Sequence, residues 1–450
     1  MNSSLSAPLP PPIFEDPNPG ILRFCLHAFY GAAWTIGLLL SSVWWVSRSF
    51  YDAGFREMVL GRLGFGLPKP PLPGERQRVL IHGVSVGEVK AAQFLVQVFE
   101  KERPDLEVVI STVTNTGFKI GSEIYPGRKI VRLPVEPALI VKRFLRQVRP
   151  VAVILIELEI WPNFLRAANE LGIPVAVVNG RITQSSYDSY RHFRNLLPQF
   201  NRISLYCVQM AEYGKRFALL SGGEERILVT GNVKWDSLGA GRVDPGDELR
   251  ELLGGAPDQI VVTAGSTHAD EELQFVKAWR DSFSETRLIL VPRHPPRAAE
   301  VLSDLASVGI RGQRLRDLRA GETPDPKRPV IVDTIGELER VYGLSDLVFI
   351  GGTLIPHGGQ NMLEPASQGI PVIYGPHIEN FSVEAGLLEE VGAARRLTGA
   401  EQIGPCVRNL VGDPDLRKLM AAAGLGVVKR ETGATQRTFA ALKERCLPPA

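Results

Sequence analysis

The sequence contains few cysteines and almost no excess of charge of either sign. Its four cysteines, Cys25, Cys207, Cys406 and Cys446, are far apart and form no CxxC pair, so neither a zinc ribbon nor a disulfide framework is indicated. The chain has 51 lysines and arginines against 49 aspartates and glutamates, which gives a net charge of +2. A general nucleic-acid binder carries a strong basic excess, so we expect no nucleic-acid partner.

Common metal and nucleotide signatures are also absent from the sequence. The seven histidines show no metal-binding spacing such as HExxH, and no cluster of carboxylates requires a divalent ion. The sequence lacks the GxxxxGK[ST] pattern, which excludes a Walker-type ATPase loop. We therefore expect neither a bound metal nor a cofactor.

The composition is that of an ordinary globular protein, with 44% hydrophobic and 22% charged residues. It excludes a mostly disordered chain and a collagen-like or coiled-coil fibre. At about 100–200 residues per domain, a chain of 450 residues predicts two or three domains. Only one window resembles a membrane span, which argues against a multi-span transporter.

That window runs from Phe24 to Val46 and contains no charged residue. As a helix, its 23 residues would be about 34 Å long, enough to cross a bilayer with some tilt. Trp44 and Trp45 near one end are typical of a membrane interface. The alternative is a helix that is buried or that lies on a surface.

Basic residues follow this window but do not precede it. Residues 1–22 contain no lysine or arginine, whereas residues 47–90 contain seven, against four acidic residues. The positive-inside rule then places the rest of the chain in the cytoplasm. We therefore predict that residues 1–47 form a tail and a single-pass anchor in the cytoplasmic membrane.

Beyond Arg78 the sequence alternates short apolar runs with helical patterns, which predicts an α/β fold. The first set of apolar runs is 79–88, 106–112, 129–135, 151–159 and 173–181. A glycine-rich polar stretch follows at about 231–256. The second set is 259–267, 287–294, 329–334, 347–352 and 370–375. Such runs indicate parallel sheets covered on both faces. We predict two Rossmann-like, doubly wound domains over 48–235 and 236–450, with a crevice between them. Ligands of such sheets bind beyond the carboxyl ends of the strands.

Three polar segments follow predicted strands of the second half. Gly351–Gln368 carries glycines and then Asn361, with Glu364 three residues later; this pattern fits an anion site, a helix cap or both. Arg293 and the histidine after it follow another strand, where they form either a phosphate site or a solvated loop. Ile335–Glu337 is a third junction at which a nucleotide would fit.

Three carboxylates follow predicted strands of the first half. Glu88 stands at a strand-to-helix junction, where it is either a general base or a first-turn glutamate that complements the helix dipole. Glu157 and Glu159 close an apolar strand just before Trp161. At i and i+2 we expect both to point to the same sheet face. Burial of two carboxylates at the end of an apolar strand costs free energy unless they are solvated or paired. Their presence there therefore favours a functional role.

Together these segments resemble the 3-deoxy-D-manno-octulosonic acid (Kdo) transferases, membrane-anchored enzymes of lipopolysaccharide core assembly. The resemblance extends to about residue 385 and rests on HGVSVGE (82–88), TVTNTG (112–117), LEIWPN (158–163), NGRIT (179–183), GNVKWD (231–236), GSTHADEE (265–272), PRHP (292–295), DTIGE (333–337), GGQNMLEP (358–365) and YGPHIENF (374–381). Two positions depart from the family pattern. Gly83 replaces a common serine, which is expected to loosen the loop before Glu88. Leu158 replaces a common threonine, which removes a hydroxyl contact.

The resemblance implies a GT-B fold, with the acceptor domain over 48–235 and the CMP-Kdo-binding domain over 236–450. It implies that Kdo moves from CMP-Kdo to a glucosamine hydroxyl of a tetraacylated lipid A precursor, a disaccharide bisphosphate. CMP would be released and the anomeric configuration inverted. It also implies attachment to the inner membrane.

The resemblance further implies roles for individual residues. Glu88 would be the general base. The CMP pocket would consist of Pro292, Arg293, Ile335, Gly336, Glu337, Asn361, Met362, Leu363 and Glu364. Further candidates for substrate contacts are Ser85, Gly87, Glu157, Glu159, Ser266, Thr267 and His268. Arg293 and the helix start at Asn361 would neutralise the single phosphate of CMP, so no metal is needed.

Two other classes remain open at the level of the sequence. A different GT-B enzyme, such as a UDP-sugar transferase or a sugar-nucleotide epimerase, would share the glycine-rich loop and Glu364 but has no need of the HGVSVGE and LEIWPN segments. A membrane-tethered nucleotide-sugar binder without activity would have no need of a carboxylate at Glu88.

Overall fold

The computed structural model describes residues 21–193, 199–239 and 241–449. These residues fall into two compact units. The first ends at Ser237 and also includes the segment from Thr432 onward, and the second runs from Leu238 to Glu431.

The first unit contains a seven-stranded sheet in which all neighbouring strands are parallel. Its strands are β1 (Gln77–His82), β2 (Leu106–Thr112), β3 (Lys129–Arg132), β4 (Pro150–Ile156), β5 (Val175–Gly180), β6 (Leu205–Val208) and β7 (Ile227–Val229). Their order is β3-β2-β1-β4-β5-β6-β7. The helices up to this point are α1 (Ile21–Tyr51), α2 (Ala53–Arg62), α3 (Val86–Ala91), α4 (Gln93–Glu102), α5 (Asn115–Ile124), α6 (Ala138–Val148), α7 (Pro162–Glu170), α8 (Gln184–Phe193) and α9 (Ala211–Ser221).

Both faces of this sheet are buried, as a near-continuous apolar strand requires. In β1, Val79 and Ile81 pack into one hydrophobic cluster, whereas Leu80 between them packs into another on the opposite face. Helices cover both faces of the sheet, so polar side chains are accessible mainly at the ends of the strands.

The second unit repeats this plan. Its parallel strands are β8 (Val261–Thr267), β9 (Arg287–Pro292), β10 (Gln313–Arg314), β11 (Val330–Ile331), β12 (Leu347–Ile350), β13 (Val372–Tyr374) and β14 (Ala394–Arg396). Their order is β10-β11-β9-β8-β12-β13-β14. Its helices are α10 (Gly246–Leu253), α11 (Glu271–Ser282), α12 (Ala298–Ser307), α13 (Leu315–Arg319), α14 (Leu338–Tyr342), α15 (Leu363–Ser367), α16 (Ser382–Glu390), α17 (Ile403–Gly412) and α18 (Pro414–Glu431). The two doubly wound units and the ten predicted strands are confirmed.

The last helix, α19 (Ala434–Arg445), differs from the prediction that residues 236–450 form one domain, because it belongs to the first unit. Its Phe439 ring contacts that of Phe99 on α4 edge to face, with ring centres 5.0 Å apart. Leu442 is fully buried in the same hydrophobic cluster. The apolar face of α19 thus completes the first core, and the second unit ends at Glu431.

Helix α1 carries the predicted anchor. From Cys25 to Tyr51 it is long and apolar enough to cross a membrane, and only 6% of its most apolar window is buried. Near its start, Tyr30 Oη donates a hydrogen bond of 3.1 Å to the carboxylate of Glu136. Glu136 in turn accepts the backbone N–H groups of Asn163 and Phe164 in the first turn of α7. The amino-terminal part of α1 is therefore held against the first unit.

Candidate active site

The strand order reverses at one point in each sheet, between β1 and β4 and between β8 and β12. Chain connections leave such a point in opposite directions, which opens a depression at the carboxyl ends of the strands. Most of the candidate residues follow β1 and β4 in the first unit, or β8, β9, β11 and β12 in the second.

Glu88 lies in the first turn of α3, directly after β1. Ser85, the N-cap of this helix, accepts a hydrogen bond from the Glu88 N–H through Oγ and donates one of 2.8 Å to Glu88 Oε1. Glu88 Oε2 accepts the backbone N–H of Val84 at 2.7 Å. Glu88 is thus half-buried in a capping box, in the first helical turn, where a glutamate that complements the helix dipole was the predicted alternative to a general base. Gly87 beside it is exposed.

The environment of Glu88 also fits a base. Burial raises the pKa of its carboxyl group, and the negative charge of Glu157 raises it further, while the hydrogen bonds from Ser85 and Val84 act in the opposite direction. The net direction is upward, so this carboxylate holds a proton more readily than an ordinary surface glutamate does.

Gly83 brings the loop before α3 into close contact with Glu88. A Cβ atom at Gly83 would lie 3.0 Å from Glu88 Cβ and 3.1 Å from its carbonyl carbon. Any side chain there would push against the helix start. Glycine permits close packing of this loop against the start of α3, and the expectation that Gly83 loosens the loop stays a prediction.

Glu157 and Glu159 follow β4, but they do not share a sheet face as predicted. The strand ends at Ile156, and Glu157 has a left-handed backbone with φ of +64°, which interrupts the alternation of an extended chain. Glu157 forms an ion pair of 3.3 Å with Lys234. Glu159 accepts the indole N–H of Trp161 at 2.9 Å. Leu158 between them packs against the hydrophobic core.

The three carboxylates influence one another electrostatically. Burial raises the pKa of Glu159 to about 7, and the charges of Glu88 and Glu157 contribute to this increase. The structure thus brings together the acidic residues after the neighbouring strands β1 and β4. Lys234 is the cation of this group, and the sequence analysis missed it although it quoted the GNVKWD segment.

In the second unit, the glycine-rich loop after β12 is held by a buried carboxylate that the sequence analysis also missed. Glu271, fully buried at the start of α11, accepts the backbone N–H groups of Thr353 and Leu354 through Oε1. Its Oε2 accepts those of Gly352 and His268. The sign of Glu271 in the sequence was its place in the GSTHADEE segment, at the end of a predicted strand. One side chain therefore fixes the loops after β8 and β12 together.

Arg293 follows β9, is exposed, and lies near enough to Glu364 to lower the pKa of that carboxyl group. Burial has the larger and opposite effect, so the pKa of Glu364 is raised overall. Asn361 donates to Glu364 Oε1 at 3.0 Å and accepts the Leu363 N–H at 3.1 Å. The predicted N-cap at Asn361 is wrong by one residue, because the short helix α15 has Met362 as its N-cap, and the Met362 side chain makes no capping hydrogen bond. Asn361 and Glu364 are nevertheless paired directly at the start of this helix.

The remaining candidate residues of this unit differ in how far their side chains are exposed to solvent. Ile335 is 89% exposed, next to Gly336 with φ of +88°. Glu337 is buried, and its carboxylate accepts hydrogen bonds from Arg319 and Arg340. Pro292, Met362 and Leu363 are buried, so ligand contacts there would fall mainly on the backbone. Ser266 has a left-handed backbone, and Thr267 donates to the buried Glu272.

Among residues 21–193, 199–239 and 241–449, no group of three or more histidine, cysteine, aspartate or glutamate side chains has the arrangement of a metal site.

Comparison with known proteins identifies the family. The family described as 3-deoxy-D-manno-octulosonic-acid transferase (kdotransferase) matches residues 59–237. The chain is 32% identical over 405 residues to a 3-deoxy-D-manno-octulosonic acid transferase of Haemophilus influenzae, covering 86% of this chain and 91% of the relative. It is also 32% identical over 428 residues to the transferase of that name from Bordetella pertussis, covering 89% and 96%.

Solved structures show the same fold at lower identity. A glycosyltransferase from Rickettsia africae covers 82% of this chain and 98% of its own, with a TM-score of 0.54 and 13% identity. A putative UDP-N-acetylglucosamine 2-epimerase from Listeria monocytogenes covers 82% and 96%, with a TM-score of 0.55 and 16% identity. These similarities confirm the GT-B-type fold. The coverage and identity of its relatives establish that the chain belongs to the 3-deoxy-D-manno-octulosonic acid transferase family of glycosyltransferases.

Proposed function

We propose that this protein transfers Kdo from CMP-Kdo to a hydroxyl group of a lipid A precursor, with inversion at the anomeric carbon and release of CMP. The observation that carries the proposal is the position of Glu88, a carboxylate with a raised pKa at the reversal point of the first sheet. An inverting transfer requires one base for the acceptor hydroxyl and a stabilised leaving group.

The reaction can be written with residues of this chain. Glu88 takes the proton from the acceptor hydroxyl, whose oxygen forms a bond to the anomeric carbon of Kdo. The bond from that carbon to the phosphate oxygen breaks, and its electron pair leaves with CMP. Lys234, paired with Glu157, supplies positive charge in the same unit. The unit that contains Glu88 is accordingly the acceptor unit in this proposal.

The second unit would bind the CMP part of the donor. Arg293 is exposed beside Asn361 and Glu364, where its guanidinium would bind the phosphate. Glu364 would accept hydrogen bonds from ribose hydroxyls. The exposed side chain of Ile335 offers an apolar surface for the base. The carboxylate of Glu337 is occupied by Arg319 and Arg340, so that residue would contact CMP through its backbone.

Product analysis tests the proposed reaction. We expect the purified full-length protein, incubated with CMP-Kdo and a tetraacylated lipid A precursor, to give a Kdo-linked lipid and free CMP, detected by mass spectrometry. Reactions without either substrate are the controls. Transfer from a UDP-sugar instead of CMP-Kdo, or binding of CMP-Kdo without any transfer to lipid, would contradict the proposal.

We further propose that α1 attaches the protein to the inner membrane as a single-pass anchor, with both units on the cytoplasmic side. Its support is the exposed apolar surface of α1 and the basic residues that follow it.

Removal of residues 1–47 is expected to move the protein from the membrane fraction to the soluble fraction, because most of the apolar surface of α1 is lost. Sedimentation of membranes in high salt measures this distribution, and the melting temperature checks that both units remain folded. The full-length protein, treated in the same way, is the control. A truncated protein that still sediments fully with membranes in high salt would show that α1 is not the main attachment.

A further inference from the structure

Three histidines from three different loops meet at the carboxyl ends of β8, β9 and β12. The ring of His268 lies with its centre 4.1 Å from that of His357, with the planes 34° apart, and 6.2 Å from that of His294. Gln360 Nε2 lies 3.2 Å from His268 Nε2. With the amide in this orientation, Nε2 accepts and the ring proton lies on Nδ1. Sequence spacing gives no sign of this cluster because its members are far apart in the chain.

The surroundings of the histidine cluster, defined as His268, His294 and His357, are cationic. Burial and the proximity of the other two histidines, Arg297 and Arg293 lower the pKa of His268 to about 4. The carboxylate of the nearby Glu271 is fully engaged by four backbone N–H groups. Glu272 is engaged through Oε1 by Arg297 and Thr267. The cluster therefore disfavours further positive charge and would be stabilised by an anion.

The donor of the proposed reaction carries two anionic groups. The phosphate of CMP is attached through oxygen to the anomeric carbon of an octulosonic acid, and the carboxylate of that acid is attached to the same carbon. The two anions must therefore lie close together, and one arginine cannot form bidentate pairs with both. Arg293 and His294 are adjacent in the chain, and Arg293 is near enough to affect His268.

We propose that the histidine cluster binds the carboxylate of the sugar, next to Arg293, which binds the phosphate. This inference rests on the proposed function. His294 and His357 are exposed and reach the ligand from two sides, while His268 is partly buried behind them. Imidazole N–H groups of the cluster donate to the carboxylate. The cluster thereby selects an acidic sugar over a neutral one.

Two ligands and two variants test this site. The ligands are CMP and CMP-Kdo, titrated calorimetrically into the full-length protein without acceptor. In the double variant His294→Gln/His357→Gln, we expect the Kd of CMP-Kdo to rise by about tenfold. The Kd of CMP alone should remain within about twofold of that of the unchanged protein. Arg293→Ala should weaken both ligands, because both contain the phosphate.

The carboxyl methyl ester of CMP-Kdo gives a second measurement. It should bind the unchanged protein about tenfold more weakly than the acid, and the double variant should bind acid and ester alike. His377→Gln is the matched control, because His377 is the remaining histidine of this unit and lies beside Glu379. Melting temperatures verify that each variant is folded.

Equal weakening of CMP and CMP-Kdo in the double variant would overturn the inference and assign the cluster to the phosphate. Unchanged affinity for both ligands would also overturn it. If the unchanged protein bound neither ligand, the proposed function itself would fail, and the carboxylate site with it.

Discussion

Replacement of Glu88 by glutamine is expected to lower kcat by about 10²–10⁴-fold, the usual contribution of a general base. Glutamine can still accept the Val84 N–H through its carbonyl and donate from its amide to Ser85, so the capping arrangement survives. We therefore expect a nearly unchanged melting temperature and a Kd of CMP within about twofold of that of the unchanged protein. Steady-state kinetics, differential scanning calorimetry and CMP titration measure these three quantities.

The pH dependence adds a second readout for Glu88. Burial raises the pKa of this carboxyl group, so the base is lost as pH falls through a value above the ordinary glutamate range. The acidic limb of the kcat/KM profile should lie correspondingly high, and Glu88→Gln should remove it. Glu123→Gln on α5 is a matched control, since Glu123 is exposed.

Two results would contradict the assignment of Glu88. A variant that keeps most of its turnover would show that another residue is the base. Glu159, whose pKa of about 7 also suits proton transfer, and Glu157 would be the next candidates. A variant that unfolds would show that Glu88 acts mainly as the helix cap.

Replacement of Glu271 by glutamine is expected to destabilise the second unit by about 2–6 kcal/mol. Each carboxylate oxygen accepts two backbone N–H groups. Glutamine has only one oxygen, and its NH₂ group would face two donors in either orientation. Two buried N–H groups would lose their acceptor, at about 1–3 kcal/mol each. The unfolding transition of this unit should therefore fall by roughly 4–24 °C in calorimetry.

The same replacement should also weaken donor binding, because Glu271 fixes the loops that carry His268 and the glycine-rich segment. Asp281→Asn on the same helix is the control, since Asp281 is exposed and pairs with the neighbouring Arg280. A Glu271→Gln protein that melts at the same temperature would show that the loops find other acceptors, and the supporting role of Glu271 would be wrong.

Local patterns were sufficient to predict the two sheets. Apolar runs such as β4 and β8 are buried on both faces, so their sequences are recognisable without knowledge of their neighbours. The strands that were not predicted, β6, β7, β10 and β14, have only two to four residues. Runs of two to four residues are too short to show the alternation of apolar and polar residues that marks a strand. Pairing with the neighbouring strands defines them instead.

The candidate site was predictable where one strand end carries several polar residues. Glu88 in the first turn of α3 was identified from its position directly after a strand. The pairing of Asn361 with Glu364, three residues apart, is also local, although the N-cap of that helix is Met362 and not Asn361 as predicted. The features that were missed depend on distant parts of the chain. Lys234 meets Glu157 across 77 residues, and Glu271 meets Thr353 across 82. Such pairs leave no trace in a single sequence.

The hydrogen bond from Tyr30 to Glu136 has a consequence for membrane attachment. Under the single-pass proposal, Tyr30 lies near the far end of the anchor, whereas Glu136 stays in the cytoplasmic unit. A single hydrogen bond cannot cross a hydrocarbon layer of about 30 Å. The docked helix, which corresponds to the surface-lying alternative, and the inserted helix are therefore mutually exclusive states.

Under the single-pass proposal, these two exclusive states of one helix would form a coupled equilibrium. Insertion of α1 would remove the Tyr30 hydrogen bond from the Glu136 carboxylate. That carboxylate accepts the backbone N–H of Asn163 in the first turn of α7, directly after Trp161, the partner of Glu159. By thermodynamic reciprocity, whatever binds the freed carboxylate favours insertion, and whatever strengthens the Tyr30 bond opposes it. Under the single-pass proposal, the bilayer would therefore influence the loop that holds Glu159 without contacting that residue.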